Sequence, residues 1–533
     1  MNSFREDFIN KTLLTQAGSR QNHAHGIYGY GELSYEIDTL NLLNFSFNRY
    51  GGDYQFELDQ VVQMTNEAGM LYKYDRWTDD TQKYGTYSLG ADYQRTFSVK
   101  DRLLTASYLL DIDPDDSRSD NLITNAINFH ESHNKQYSNA STKEHTFQLD
   151  YTTPVADIHT IEIGAKYIRR INESNSQLSI LSGNDWIPVP SDNDHFEHSQ
   201  DILSAYAGYG LKYKKWGFKT GLRYEINWLN AEFPLNTQQN FDTHSANLIP
   251  SATITYMLKP GQTLKTGYNM RIQRPGIWYL NPYVNTTDTN YIRYGNPDLN
   301  AVKYHVLNMN YNFYTPKFNM NMDLSYNFTN NGIDELTKIE NNVSKTSYFN
   351  IAKSKTVSLS AYLNWSPNPK LRLYANLGSN YMDVKANDAS GLKNSGFAGN
   401  LYGGIQYTIP WDIRLGCVGY YSSPRITLQG ESSGNYAWGV NANKSLLDKK
   451  LTLRLYVDNP LGQNLKLSSK QTTPQFHYES DNIQKMRRFG ISVSYRFGEM
   501  KTQIKKAQRS IQNDDNMSGG NSGGSGGQQG GGL

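Results

Sequence analysis

The sequence predicts an all-β fold: a transmembrane antiparallel β-barrel of roughly 20 strands, and up to about 22, with short turns at one rim and long loops at the other. Three observations predict it. Apolar and polar residues alternate over lengths that cross a membrane, the composition is aromatic yet hydrophilic, and the connections divide into short and long ones.

Alternation is clearest between Phe318 and Phe328. Aromatic, methionine and leucine side chains occupy every second position, and the positions between them carry asparagine, aspartate or serine. Because the side chains of a strand point alternately to its two faces, this stretch has one apolar and one polar surface. Its length matches the roughly 9–11 residues that a tilted strand needs to cross a bilayer.

The composition separates a large barrel from a row of soluble domains. The 533 residues include 40 tyrosines, 20 phenylalanines and 8 tryptophans, but the mean hydropathy is negative. A barrel with a thin apolar band, aromatic girdles and a wet lumen combines these properties, whereas soluble cores are richer in aliphatic residues. A net charge of +2 argues against nucleic acid as a partner. The single cysteine, Cys417, excludes an internal disulfide.

We expect the first strands over residues 4–15, 22–36, 84–97 and 104–112, with a polar region between about 49 and 83. Later strands alternate leucines with charged residues, as 222–228 and 451–457 do. Such charges are tolerated in a water-filled lumen and are costly against lipid. The inward set is therefore expected to include Arg223, Glu225, Asp323, Arg372 and Arg454, and Leu453 should face lipid while Thr452 faces the lumen.

The connections alternate between two classes. Proline, glycine and aspartate, which favour turns, mark short connections at 153–157, 214–217, 259–261, 315–317, 366–369, 410–412 and 447–449. Long polar segments lie between them, at about 114–142, 172–198, 230–246, 273–303, 328–354, 383–396, 422–435 and 458–485. Short periplasmic turns and long extracellular loops are typical of outer-membrane barrels.

The expected division of the chain is a barrel over residues 1–497, a short basic amphipathic segment over 498–512 and a disordered Gly/Ser/Gln/Asn-rich tail over 513–533 on the periplasmic side. No apolar run reaches the roughly 18 residues that a membrane helix needs. The first residues lack the pattern of a signal peptide, so we expect that a signal was removed or that the chain belongs to a longer protein. With no segment large enough to fill it, the lumen is expected to be open.

Three motifs in order carry a resemblance: Arg271–Pro275 (RIQRP), Leu280–Tyr283 (LNPY) and Tyr294–Leu299 (YGNPDL). Over about residues 20–500 the chain resembles the barrel portion of TonB-dependent receptors, of the outer-membrane β-barrel type common in Bacteroidota. The resemblance implies the Gram-negative outer membrane, its lipid and the barrel-assembly machinery as partners. It also implies a plug domain and the TonB energising complex, and no plug is visible in this sequence.

Binding residues are less well defined. The segment with the motifs concentrates aromatic and arginine side chains, which suit either a ligand platform or an interfacial girdle with loop packing. These side chains are Trp278, Tyr279, Tyr283, Tyr291, Tyr294, Arg271, Arg274 and Arg293. Histidines occur in pairs at 23/25, 130/133 and 195/198, and we expect solvated side chains there rather than a metal site.

No catalytic residue, cofactor or metal is predicted, and the chain is not expected to be an enzyme. No serine lies in a nucleophile elbow, and the glycines of 399–404 lack the spacing of a phosphate loop. Two functions therefore stay open. One is the translocating barrel of a transporter for a scarce solute such as a siderophore, cobalamin, glycan or peptide. The other is a non-energised structural or binding barrel whose long loops serve adhesion or partner docking.

Overall fold

The computed structural model describes residues 1–190, 194–235, 240–281, 284, 290–388, 390–498, 507, 508, 511, 513 and 515–517. Almost all of them lie in antiparallel strands. Across these ranges no helix has the length and apolar character needed to cross a membrane. The short helix α1 (Ile277–Leu280) and a 3₁₀ turn at Pro410–Asp412 interrupt the strands.

The strands, numbered along the chain, are β1 (Asn2–Asp7), β2 (Thr12–Glu36), β3 (Asn41–Asn66), β4 (Gly69–Thr96), β5 (Leu103–Ile127), β6 (Ser132–Val155), β7 (His159–Ser182), β8 (Asp185–Pro188), β9 (Asp194–Tyr213), β10 (Trp216–Glu232), β11 (Phe241–Lys259), β12 (Gln262–Pro275), β13 (Tyr291–Arg293), β14 (Val302–Tyr314), β15 (Phe318–Glu340), β16 (Val343–Asn368), β17 (Leu371–Ala386), β18 (Lys393–Ile409), β19 (Ile413–Ser422), β20 (Ile426–Thr427), β21 (Gly430–Glu431), β22 (Asn435–Leu446), β23 (Leu451–Asp458), β24 (Asn464–Thr472), β25 (Phe476–Lys485), β26 (Arg488–Tyr495) and β27 (Asn516–Met517).

The wall contains twenty of these elements within the described ranges. Of the 27 strands, the short ones β8, β13, β20, β21 and β27 lie in loops or in the C-terminal segment. β23–β24 and β25–β26 form one hairpin with a break in each arm, so each pair counts as one wall strand. Each remaining strand pairs antiparallel with its neighbour in the chain. The predicted all-β barrel of roughly 20 strands is confirmed.

The facing of the strands follows the predicted alternation. Leu324 of β15 pairs with Met309 and Leu359, so leucine and methionine lie side by side on the outer face. Ser325 pairs with Ser358 on the inner face. Leu453 pairs with Val493 on one side and with Lys444 on the other, and it lies near the periplasmic end of β23 rather than at the middle of the membrane.

Several predicted loops are strands instead. The predicted loop at 114–142 is the hairpin of β5 and β6, and the one at 328–354 is the hairpin of β15 and β16. Asn341 and Asn342 close that hairpin with positive φ of 52° and 66°. Outside the membrane both faces of a strand are wet, so these strands show no alternation in sequence. The long connections predicted at this rim are therefore present, and paired strands continue through much of their length.

The first predicted strand, over 4–15, is also wrong because the chain reverses at residues 8–11. Asp7 Oδ1 accepts hydrogen bonds from the amides of Ile9 and Asn10, at 2.9 and 3.0 Å. Lys11 follows with a positive φ of 53°. An aspartate that binds the amides ahead of it starts a turn, and this local signal outweighs the apolar alternation around it.

In the extracellular half, β1 lies between the first and the last long strands of the sheet, and no described strand continues it towards the periplasm. It pairs with β2 on one side and with β25 on the other. In the described structure, 19–28 of β2 pair only with β3, and β26 pairs only with β23. Both edges are unusually accessible: Tyr28 is 71% exposed and Ile491 is 75% exposed, against 41% for Leu324, which has a paired strand on each side. The periplasmic half of the described sheet thus contains a seam between β2 and β26, in line with β1.

Candidate functional site

A belt of polar and charged side chains lines the lumen at one level. It consists of Glu144, Arg170, Gln200, Glu225 and Arg274, on strands β6, β7, β9, β10 and β12. They lie 9 to 13 residues above the periplasmic ends of their strands, so the belt occupies a narrow range of heights on the inner wall. The antiparallel registers bring together residues that are far apart in sequence.

Arg170 is the centre of one half of the belt. Its Nε donates to Glu144 Oε2 at 2.5 Å, and its Nη1 donates to Gln200 Oε1 at 2.9 Å. The side chain is only 2% exposed. A buried guanidinium is stable only when its charge and its donors are matched, and here neighbouring strands supply both partners.

Arg274 is the centre of the other half. Its Nη2 is hydrogen-bonded to Glu225, which also accepts from Arg223 at 2.7 Å. Arg274 is 4% exposed and Glu225 is 3% exposed. The belt therefore consists of two buried ion-pair groups on the inner face of the wall, and removing one partner would leave a buried charge unmatched.

The described part of the C-terminal segment rises through the lumen to this belt. The amide of Gln508 donates to Gln94 Oε1 at 2.7 Å, near the periplasmic end of β4. Asn513 Nδ2 donates to Thr146 Oγ1 at 2.7 Å, higher on the wall. β27 then pairs with the end of β12. These contacts place 513 and 515–517 inside the barrel. The rest of the predicted tail lies outside the described residues.

Asp515 joins the two halves of the belt. Its carboxylate accepts from Arg170 Nη2 at 3.2 Å and from Arg274 Nη1 at 2.9 Å. Its backbone carbonyl accepts from the Arg274 amide at 2.7 Å. Burial alone would raise the pKa of Asp515, but the two guanidinium groups outweigh it and hold the pKa at about 2. The carboxylate is therefore charged throughout the physiological pH range.

A second feature is the segment between β12 and β14, which we call the mouth loop (276–301, described at 276–281, 284 and 290–301). It crosses the extracellular mouth. Asn281 Nδ2 donates to Ser174 Oγ on β7 at 3.1 Å, and Asn290 Nδ2 donates to Tyr74 Oη on β4 at 2.6 Å. Arg5 of β1 donates to the Asn290 carbonyl at 3.3 Å. A loop from one side of the ring thus contacts strands on other sides, and the expectation of an open lumen is not met at this level.

The sequence motifs meet inside this loop. The Gly295 amide donates to the Asn281 carbonyl at 2.8 Å, and the Asn296 amide donates to the Tyr279 carbonyl at 2.6 Å. A Cβ on Gly295 would lie 2.3 Å from the Asn281 oxygen, so only glycine allows this approach. Below the contact, Leu280 and Leu299 are buried with Phe196, Phe233 and Tyr348. The resemblance therefore rests on residues that fix the mouth loop in place. Pro282 and Tyr283 lie outside the described residues.

Gly295→Ala is expected to loosen the mouth loop while leaving the wall folded. The added methyl group overlaps backbone atoms, and such overpacking costs about 1–3 kcal/mol. Amide hydrogen exchange should show faster exchange at residues 290–296 and unchanged exchange in β15. Gly462→Ala is the matched control, since a Cβ there meets nothing within 4 Å. Equal protection of the loop in both variants would contradict the proposed packing.

The aromatic cluster expected at this loop is divided. Tyr279 packs edge-on against Tyr348 at a centroid distance of 4.7 Å, and the Arg293 guanidinium lies 5.7 Å from the same ring. Arg293 also pairs with Glu335. These side chains pack the loop against the barrel interior instead of forming a girdle against lipid. The side chain of Trp278, like Tyr283, lies outside the described part of the structure.

The histidine pairs make local contacts. His25 lies 3.1 Å from Asp53, His133 lies 2.6 Å from Asp120, and His198 lies 2.8 Å from the Asn172 amide. Within the described ranges no three His, Cys, Asp or Glu side chains group as metal ligands would.

Sequence reasoning found part of the luminal site. The alternation placed Arg223 and Glu225 inside, and both contribute to the belt. Glu144, Arg170 and Asp515 were missed, because nothing in their sequence spacing connects them. The available signal was weak: a charged residue on the inward face of a strand needs water or a partner, but the partner is fixed only by the registers.

Comparisons with known proteins agree with this geometry. The model of the outer membrane protein beta-barrel family matches residues 95–495. Comparison with curated proteins gives no match. Three solved structures share the fold at 12–13% sequence identity. The copper transporter OprC has a TM-score of 0.58, over 93% of this chain and 82% of its own.

The siderophore receptor PiuA from Acinetobacter baumannii has a TM-score of 0.55, over 93% of this chain and 81% of its own. The outer membrane transporter YddB from Escherichia coli has a TM-score of 0.52, over 93% and 80%. These findings confirm the predicted resemblance to TonB-dependent receptor barrels and the outer membrane as the location. Since the family match spans well over half of the sequence, the chain belongs to the outer membrane protein β-barrel family.

Proposed function

We propose that this chain is the translocating barrel of a TonB-dependent-receptor-like transporter for a scarce solute. The observation that supports this most directly is a polar, charged lumen whose mouth is crossed by a loop. A solute must pass the mouth loop and then the luminal belt, so the loop is the gate and the belt the first binding surface inside. The candidate solutes are a siderophore, cobalamin, a glycan or a peptide.

The partners follow from the same proposal. The outer face needs lipid and the wall needs the barrel-assembly machinery. Energised transport needs a plug domain and the TonB complex. The C-terminal segment enters at the periplasmic rim, and a plug would share the lumen with it or displace it. The solved structures named above are two transporters and a receptor, which is in line with a role without catalysis.

Ionic current through the full-length barrel tests whether the mouth loop is a gate. Asn281→Cys and Ser174→Cys, in a Cys417→Ala background, place two thiols where the hydrogen bond now joins loop and wall. A short cleavable bismaleimide should lock the loop and hold the single-channel current in planar bilayers near zero. Cleaving the linker should restore a current, and Gly295→Ala should increase it further.

A cysteine pair within the wall, Asn310→Cys with Asn321→Cys, is the control, because those side chains join adjacent strands rather than loop and wall. Linking them should leave the current unchanged. If no state of the loop passes ions, the proposed passage is wrong. The alternative, a non-energised binding barrel, then gains support from the hairpins that project beyond the membrane, such as β3–β4, in which the strands are 26 and 28 residues long.

A further inference from the structure

The luminal belt contains two arginines whose partners differ from those of an ordinary structural ion pair. Each arginine forms an ion pair with one glutamate of the wall: Arg170 with Glu144, and Arg274 with Glu225. Each then directs a second guanidinium nitrogen to the same carboxylate, that of Asp515. The wall supplies the two cations and their outer partners. The shared carboxylate comes from a segment that is not part of the wall.

This arrangement has the features of a built anion site. Both guanidinium groups are almost fully buried, at 2% and 4% exposure, and their orientations are fixed by Gln200, Glu144 and Glu225. The Arg274 amide adds a donor to the backbone of the bound segment. Two preoriented guanidinium groups that converge on one acceptor select a carboxylate by charge and geometry.

The path of the segment supports the same assignment. Its contacts climb in order along the inner wall, from Gln94 near the rim, to Thr146, to Arg170 and Arg274. Residues 508 and 515 are seven positions apart in the chain. Their wall partners, Gln94 and Arg170, differ in height by about nine residues along the strands. Seven residues are long enough to cover that rise, because a tilted strand rises less per residue than an extended chain does. It then ends in two residues paired with β12.

We propose that Arg170 and Arg274 form a carboxylate-binding site in the lumen and that Asp515 of the chain's own C-terminal segment is its resident ligand. The segment is thereby an internal occupant of the barrel, and Asp515 is the acidic side chain with which it fills this site. An acidic group on a peptide or solute that enters the lumen competes for the same two arginines. Binding at this site does not require transport, so peptide affinity rather than ionic current tests it.

The test uses full-length chains in detergent and a fluorescent peptide with the sequence of residues 507–517. The Asp515→Asn chain leaves the site empty and should bind the peptide. The wild-type chain should bind it at least about tenfold more weakly, since the tethered segment competes at a high effective concentration. Asp157→Asn, the same substitution in an exposed periplasmic turn, should behave like the wild type.

Two peptide variants separate a specific site from general attraction of charge. Both have the same net charge, one carrying Asn for Asp515 and the other Asn for Asp514. Only the first should lose affinity for the Asp515→Asn chain, by about 10–100-fold, as expected when a charge-assisted hydrogen-bond pair is removed. This comparison leaves the barrel sequence unchanged, so its outcome does not depend on how a barrel variant folds.

Arg274→Gln in the Asp515→Asn chain should weaken binding of the native peptide by the same factor as the Asn-for-Asp515 peptide variant does. Heat-dependent gel mobility verifies that this variant is folded. Equal binding of the two peptide variants would overturn the proposal, as would equal binding of the native peptide to the wild-type and Asp515→Asn chains. In the first case the lumen attracts acidic peptides without a defined site, and in the second the segment does not occupy it.

Discussion

Adding a strand-forming segment of about 14 residues ahead of Met1 is expected to raise the thermal stability of the barrel strongly, because it would fill the seam between β2 and β26. The seam is bounded by β26 and by residues 19–28 of β2, whose outer edges lack a strand partner among the described residues. In lipid each unsatisfied backbone group costs several kcal/mol. The increase in stability should therefore grow with the number of backbone hydrogen bonds that the new strand forms with the two edges.

The register of β1 determines the design. Asn2 pairs with Ala17 and with Asp481, so an extension of β1 would run down between both edges. Ser3, Arg5 and Asp7 are buried on the inner side, so residues of even number in the extension should be apolar and face outward. They would then lie between Ile27 and Ile491, which are exposed at 52% and 75%.

Two measurements check this result. The temperature at which the folded gel band disappears should rise, and amide exchange of β26 should slow. The control is a segment of equal length with proline at alternate positions, because proline lacks the amide that the ladder needs. If amide exchange of β26 slows equally with both segments, the new segment does not pair with the edge strands and the seam is not a site for a strand.

Some features of the fold are determined by short stretches of sequence. The alternation at Phe318–Phe328 is sufficient to predict a membrane strand and its facing, because a strand in lipid must satisfy one apolar and one polar surface at once. The turn at Asp7 was available from the sequence as well, since aspartate binds the amides that follow it. The apolar alternation continues across the turn and hides this signal.

The candidate site was predictable only in part, because it depends on closure of the ring. Arg223 and Glu225 are two residues apart on one strand, and their common inward face could be inferred. Arg170 and Arg274 are separated by more than a hundred residues and meet only through Asp515, on a segment whose composition suggested disorder. The registers of several intervening strands determine that meeting, and no short motif encodes them.

The second large effect concerns the lipid face. Leu324→Arg is expected to lower the free energy of unfolding by roughly 2–4 kcal/mol, the cost of an arginine near the middle of the bilayer. Leu324 is outward, 41% exposed, and flanked by Met309 and Leu359, so the new charge would find apolar neighbours and lipid. Denaturant unfolding in lipid vesicles, followed by tryptophan fluorescence, measures the change.

Ser325→Arg is the matched control, because it places the same side chain one residue away on the inner face. There Asn308 and Ser358 are its cross-strand neighbours and water is available, so the stability should change by only about 0.5 kcal/mol. Leu453→Arg, near the periplasmic rim, should cost roughly 0–1 kcal/mol, because the charge can reach the interface. A loss at Ser325 as large as that at Leu324 would show that the two faces are not divided between lipid and water, and the register of β15 would have to be revised.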